Sequence, residues 1–129
     1  MVLCLSNEVL FDSGRSVLKP DGKRALAEVA AVLATIPSRR FQMAGHTDNE
    51  PIRLSPYKSN WDLSTARALE VTSFLITKGV DPHAVSAAGY GEFDPADAND
   101  TKNGKAHNRR TEISLQPNID ERLAVPETP

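Results

Sequence analysis

The sequence predicts an α/β fold, a two-layer sandwich in β-α-β-α-β-β order with two main helices packed on a mixed four-stranded sheet. Three observations predict it. Apolar residues recur at helical spacing from Leu26 to Leu33 and again from Leu63 to Leu75. Short apolar or alternating segments flank those two stretches, and the last of them, Thr111 to Gln116, alternates throughout. The chain of 129 residues, 40% hydrophobic and 25% charged, has the size and composition of one globular domain and excludes collagen-like, coiled-coil and mucin-like classes.

Taken in order, Val2-Leu3-Cys4-Leu5 reads as a strand in which Cys4 is a buried small apolar side chain. Ser6-Asn7-Glu8 interrupts it as a turn or bulge, and Val9-Leu10-Phe11 reads as a second short strand that Asp12-Ser13-Gly14 breaks. Pro20 suits the first position of a helix, and Leu26, Val29, Ala30 and Leu33 follow at i, i+3, i+4 and i+7; Pro37 stops it near Ile36. Phe41 to Gly45 is a strand, so strand, helix and strand imply a right-handed crossover. His46 to Asp62 lacks any period and holds Pro51 and Pro56, so it is either a functional loop or mobile.

Asp62 or Ser64 can cap the second helix, whose apolar positions are Leu63, Ala66, Leu69, Val71, Phe74 and Leu75, with Gly79 as its left-handed exit. Val85 to Ala88 reads as a strand, followed by Gly89-Tyr90-Gly91 and a second aperiodic loop from Glu92 to about Asn108. In the final strand Thr111, Ile113 and Leu115 share one face. Residues 1–117 are expected to form the domain and 118–129, rich in Pro and acidic residues, a flexible tail.

Charge and composition narrow the function. Fifteen basic against 17 acidic residues give a net charge of −2, so no global positive field holds a nucleic acid. No apolar run approaches the ~18 residues of a membrane span, and any membrane attachment is expected through segments absent from this chain. His46, His83 and His107 lie far apart and Cys4 is the sole cysteine, a poor ligand set for zinc. Ser64 has neither a nucleophile turn nor a histidine partner in sequence, and it reads as a cap. Neither an enzyme nor a bound cofactor or metal is expected.

The chemistry that remains is recognition of a small charged group. Asp48, in His46-Thr47-Asp48-Asn49, opens the first long loop; Arg67, in Asn60-x-x-Leu63-Ser64-x-x-Arg67, follows the start of the second helix. A guanidinium can grip a carboxylate with two parallel bonds while a carboxylate accepts from an ammonium, so the two together make a receptor for a zwitterion. The alternative is that Asp48 and Arg67 pair with each other or with water. Of Arg109 and Arg110, consecutive at a strand entrance, at most one can face such a cleft.

Phe11-Asp12-x-Gly14, Gly45-His46-Thr47-Asp48, Asn60-Trp61-Asp62-Leu63-Ser64-x-x-Arg67-Ala68, Gly89-Tyr90-Gly91, Pro95 and Asn108-Arg109-Arg110-Thr111-Glu112 together resemble the OmpA-like C-terminal domain, over about Leu10 to Leu115. The run Asp48-Asn49-Glu50-Pro51-Ile52, with Ser59-Asn60-Trp61 and Asn99-Asp100-Thr101, looks most like the MotB branch, the flagellar stator proteins and their relatives.

The resemblance implies non-catalytic, periplasmic binding of peptidoglycan through the diaminopimelate of the stem peptide, anchoring a larger envelope assembly to the wall, with a homodimer as a further expectation. It also implies roles: Asp48 for the ammonium, Arg67 for the carboxylate, backbone N–H groups near Phe11 and Asp12 completing the grip, Thr47 and Asn60 as pocket wall, and Arg110 as support from the last strand. The longer loop with Pro51 and Pro56 departs from the family pattern, so contacts of residues 49–59 do not carry over. The competing reading is a protein-interaction or dimerisation module with Tyr57, Trp61 and Phe93 as anchors.

Overall fold

The first ten residues fold as a strand followed directly by one helical turn, β1 (Val2–Ser6) and α1 (Asn7–Leu10), in a computed structural model that describes residues 1–36, 38–52 and 56–117. The strand expected at Val9 to Phe11 is therefore corrected. Ser6 caps the turn by accepting the Glu8 N–H, and only Phe11 stays extended, in a single bridge with Leu18. α2 (Pro20–Leu33) starts at its proline and buries Leu26, Val29, Ala30 and Leu33. It ends three residues before Ile36, and Pro37, the expected stop, lies outside the described residues.

β2 (Phe41–His46) leads to the long loop, of which 53–55 lie outside the described residues. α3 (Asn60–Thr77) begins earlier than expected, because Ser59, and not Asp62 or Ser64, is its cap and accepts the Asp62 N–H. Its buried stripe runs through Leu63, Ser64, Arg67, Ala68, Val71 and Leu75. Leu69 falls off that stripe and is exposed, which corrects its place among the inward positions. Gly79 exits at φ 100°, a 3-10 turn spans Pro82–Ala84, and β3 (Val85–Gly91) continues through the Gly-flanked tyrosine.

The second stretch read as aperiodic contains α4 (Lys102–Asn108), capped by Thr101 through the Gly104 N–H. Its sequence carries no apolar stripe, so periodicity cannot reveal it. β4 (Arg110–Leu115) closes the described chain, and the expected tail, 118–129, lies outside the described residues.

The sheet order is β1-β4-β2-β3, with β4 antiparallel to both β1 and β2, and β2 parallel to β3. The last strand thus sits between the first two. α3 packs on β2 and β3 with α2 beside it, and their stripes meet the sheet around Leu10, Leu26, Met43, Val71, Leu75 and Ile113, all fully buried. Cys4 is exposed, contrary to expectation, because alternation along edge strand β1 turns Leu3 and Leu5 toward the core and Cys4 away from it. α3 approaches so closely that a Cβ on Gly45 would strike the Ser64 carbonyl, and one on Gly89 would lie 2.6 Å from the Thr65 nitrogen. Among the described residues no helix is long and apolar enough to cross a membrane.

Candidate functional site

Beyond the C-terminal end of β2 the chain opens a cavity of about 890 Å3, walled by the α1 turn and residues 11–17, by Thr47, Asp48 and the loop after them, by the start of α3, and by Arg109. Thr47 prolongs the parallel pairing by donating its N–H to the Gly91 carbonyl at 2.8 Å, and the chain leaves the sheet at Asp48. Asp48 is buried but lines the cavity. Its Oδ1 accepts the Glu50 N–H at 2.9 Å, and Arg109 Nη1 donates to its Oδ2 at 2.5 Å. The other arm of that guanidinium donates to Glu8 Oε1 at 2.8 Å. Burial opposes the Arg109 charge, yet the Glu8 and Asp48 carboxylates outweigh it and hold its pKa above the ordinary arginine value.

Asn60 and Arg67 are seven residues apart, two helical turns, so α3 presents both on one face, and both line the cavity. Asn60 Nδ2 donates to the Asp48 and Glu50 carbonyls at 3.3 and 3.1 Å, tying the long loop to the helix start. Arg67 donates Nε to the Arg15 carbonyl at 2.8 Å and Nη2 to the Asp12 carbonyl at 3.1 Å, and its Cζ lies 5.0 Å from the centre of the Phe11 ring. Burial lowers its pKa to about 10, against the pull of Tyr57 and Asp48, so it stays cationic at neutral pH. Among the described residues Nη1 of Arg67 has no hydrogen-bond partner, and neither Asp48 nor Arg67 is the other's ion pair. One cavity therefore holds a carboxylate with remaining acceptor capacity and a guanidinium with a remaining donor.

The structure brings Phe11, Asp12, Thr47, Asp48, Asn60 and Arg67 to this cavity. Two expected roles change. The Phe11 N–H donates to the Asn7 carbonyl at 2.8 Å as the α1 cap, so it is its ring that serves the site, beneath Arg67. Arg110 does not line the cavity: it begins β4 opposite His46 and donates to Glu112, at 2.5 Å, and to the Asp94 carbonyl, at 3.0 Å. Arg109, one residue earlier, takes the cavity side. Asn7 is a further residue sequence reasoning passed over. It donates to the His46 carbonyl at 3.2 Å and accepts the Thr111 hydroxyl at 2.8 Å, fixing α1 to both β2 and β4.

The other residues singled out fall elsewhere. Tyr57 lines the cavity and its hydroxyl meets that of Ser16, bridging loop and turn. Trp61 and Phe93 stack on each other at the surface. His46 is buried against Tyr90, while His83 and His107 pair with Asp81 and Asp97, so the three histidines share no site.

Comparison with known proteins places these features in company. Residues 10–109 match the OmpA family. The chain is 35% identical over 118 residues to motility protein B of Bacillus subtilis strain 168, covering 91% of this chain and 45% of that protein. It spans about half the length of the curated relatives it matches. Among solved structures, the periplasmic domain of Helicobacter pylori MotB superposes with a TM-score of 0.86 at 26% identity, covering 93% of this chain and 78% of that one. The cell wall anchor of the T6SS from Pseudomonas aeruginosa superposes with a TM-score of 0.83 at 32% identity, covering 88% and 79%.

Proposed function

This chain belongs to the OmpA family, and on that premise we propose that it is a non-catalytic, periplasmic peptidoglycan-binding domain that anchors a larger envelope assembly to the cell wall. The group it grips is the diaminopimelate of the stem peptide. One observation carries the reading: Asp48 and Arg67, 19 positions apart in sequence, line the same cavity without pairing with each other. An amino-acid head placed there puts its ammonium on Asp48, beside the Arg109 contact, and its carboxylate on the unfilled Nη1 of Arg67. Asn60 and Thr47 hold the Asp48 backbone through its carbonyl, which orients the acceptor before ligand arrives.

The relatives support both place and task. One is a periplasmic domain of MotB and another a cell wall anchor, and the assembly proposed for this chain is a larger envelope complex held to the wall in the same way. A single zwitterionic contact has modest affinity, and many copies on one wall supply avidity. Cosedimentation with purified peptidoglycan tests the reading. Asp48→Asn, which keeps the acceptor for Glu50 but removes the charge, abolishes pelleting while circular dichroism is unchanged, and free meso-diaminopimelate competes with the wild-type domain. Retained pelleting by the variant rejects the site.

A further inference from the structure

Trp61 and Phe93 are large apolar side chains that the fold leaves 47% and 65% exposed, yet they are not scattered. Their ring centres lie 5.1 Å apart at an interplanar angle of 22°. Gly91, at φ 62°, runs beside both: a Cβ there would lie 3.5 Å from a ring carbon of each. The same glycine accepts the Thr47 N–H through its carbonyl and donates its own N–H to Ser64 Oγ at 2.9 Å. Trp61 directly follows Asn60, a wall of the cavity. The aromatic pair is thus fixed to the cavity from two sides, through Gly91 to Thr47 and through the first residues of α3.

We propose that Trp61 and Phe93 form a platform on which one hexopyranose ring of the glycan strand stacks while the stem peptide occupies the adjacent cavity. The inference rests on the peptidoglycan reading and extends it from peptide to sugar. Aromatic faces carry negative potential and attract the positively polarised C–H groups that a pyranose presents on one side. Diaminopimelate is the third residue of its stem, so three residues of extended peptide carry the sugar on the order of 10 Å from it, and its own side chain and the lactyl bridge lengthen that reach. Trp61 and Asn60 are consecutive, which puts the platform within that reach. Two partly covered rings offer far less than the roughly 800 Å2 per partner of a stable protein interface, but they match one face of a sugar. Tyr90, the nearest other exposed aromatic in sequence, is committed to stacking on His46.

The test compares two ligands by calorimetric titration: a disaccharide–stem-peptide muropeptide and the same stem peptide released from its sugar. Trp61→Ala and Phe93→Ala each weaken muropeptide binding roughly tenfold and leave free stem peptide binding unchanged. Trp61, the only tryptophan, shifts its fluorescence with muropeptide and not with free peptide. Equal effects on both ligands, or on neither, overturn the platform. So does a concentration-dependent dimer of the wild type that either variant abolishes, because the rings then meet protein. Wild-type domain that binds neither ligand overturns the cavity reading as well. If Asp48→Asn loses the free peptide while the aromatic variants keep full muropeptide affinity, the platform alone fails.

Discussion

Arg109 holds Asp48 before any ligand arrives, Nη1 to Oδ2 at 2.5 Å, with Glu8 on the opposite arm of the same guanidinium. The acceptor of the proposed site is therefore charge-compensated in the unliganded fold, and an incoming ammonium shares Asp48 with Arg109.

Arg109→Gln leaves the nearly buried Asp48 carboxylate without its cation and costs about 1–3 kcal/mol, discounted from a fully buried pair because Arg109 is partly exposed. A ligand ammonium restores the lost charge. Meso-diaminopimelate accordingly raises the melting temperature of Arg109→Gln more than that of wild type in a thermal scan. Equal shifts mean that the ligand does not reach Asp48.

Arg67 has a structural duty beside the binding duty proposed for it. It bridges the Asp12 and Arg15 carbonyls, which a lysine ammonium on a flexible stem cannot span in the same way. Arg67→Lys loses about 1–3 kcal/mol in urea unfolding and at least tenfold in peptidoglycan binding. Binding at the wild-type level by this variant removes Arg67 from the site.

Gly45 has no room for a methyl group, since the obstruction is the Ser64 backbone and not a side chain that could swing aside. Gly45→Ala destabilises by about 3 kcal/mol or more. The measurement is the urea midpoint, and a loss below about 1 kcal/mol contradicts the close helix–sheet approach.

Burial, reinforced by Arg110, pushes the His46 pKa below its ordinary 6.5 despite Glu112 and Asp94 nearby. The unfolded chain binds a proton on this side chain at higher pH than the folded one does. Stability is therefore full above about pH 6.5 and falls as pH drops toward the folded pKa, by up to about 1.4 kcal/mol per pH unit. His46→Gln flattens that slope between pH 7 and 5 in urea titrations; an unchanged slope assigns it to other groups.

What the sequence disclosed depended on the length of the signal. α2 and α3 each carry several turns of apolar repeat, and β4 alternates over its whole length, so their positions follow from period alone. α1 has four residues and α4 no apolar stripe, so each is set by a cap and by tertiary bonds that only the folded chain supplies. Asp48 and Arg67 stood out because each sits in a motif with a charge at a chain boundary. Arg109 and Arg110 differ by strand parity, which depends on the residue at which β4 starts, and the cavity took the first of them. Asn7 had no sequence signal, because its partners on β2 and β4 are 39 and 104 positions away.

The insertion of β4 between β1 and β2 gives assembly an order. Neither earlier strand has a neighbour on that side until Arg110 to Leu115 emerges, so most of the polypeptide must exist before its centre can close. Such a late keystone leaves the sheet in two unjoined parts until the last strand of the described residues arrives.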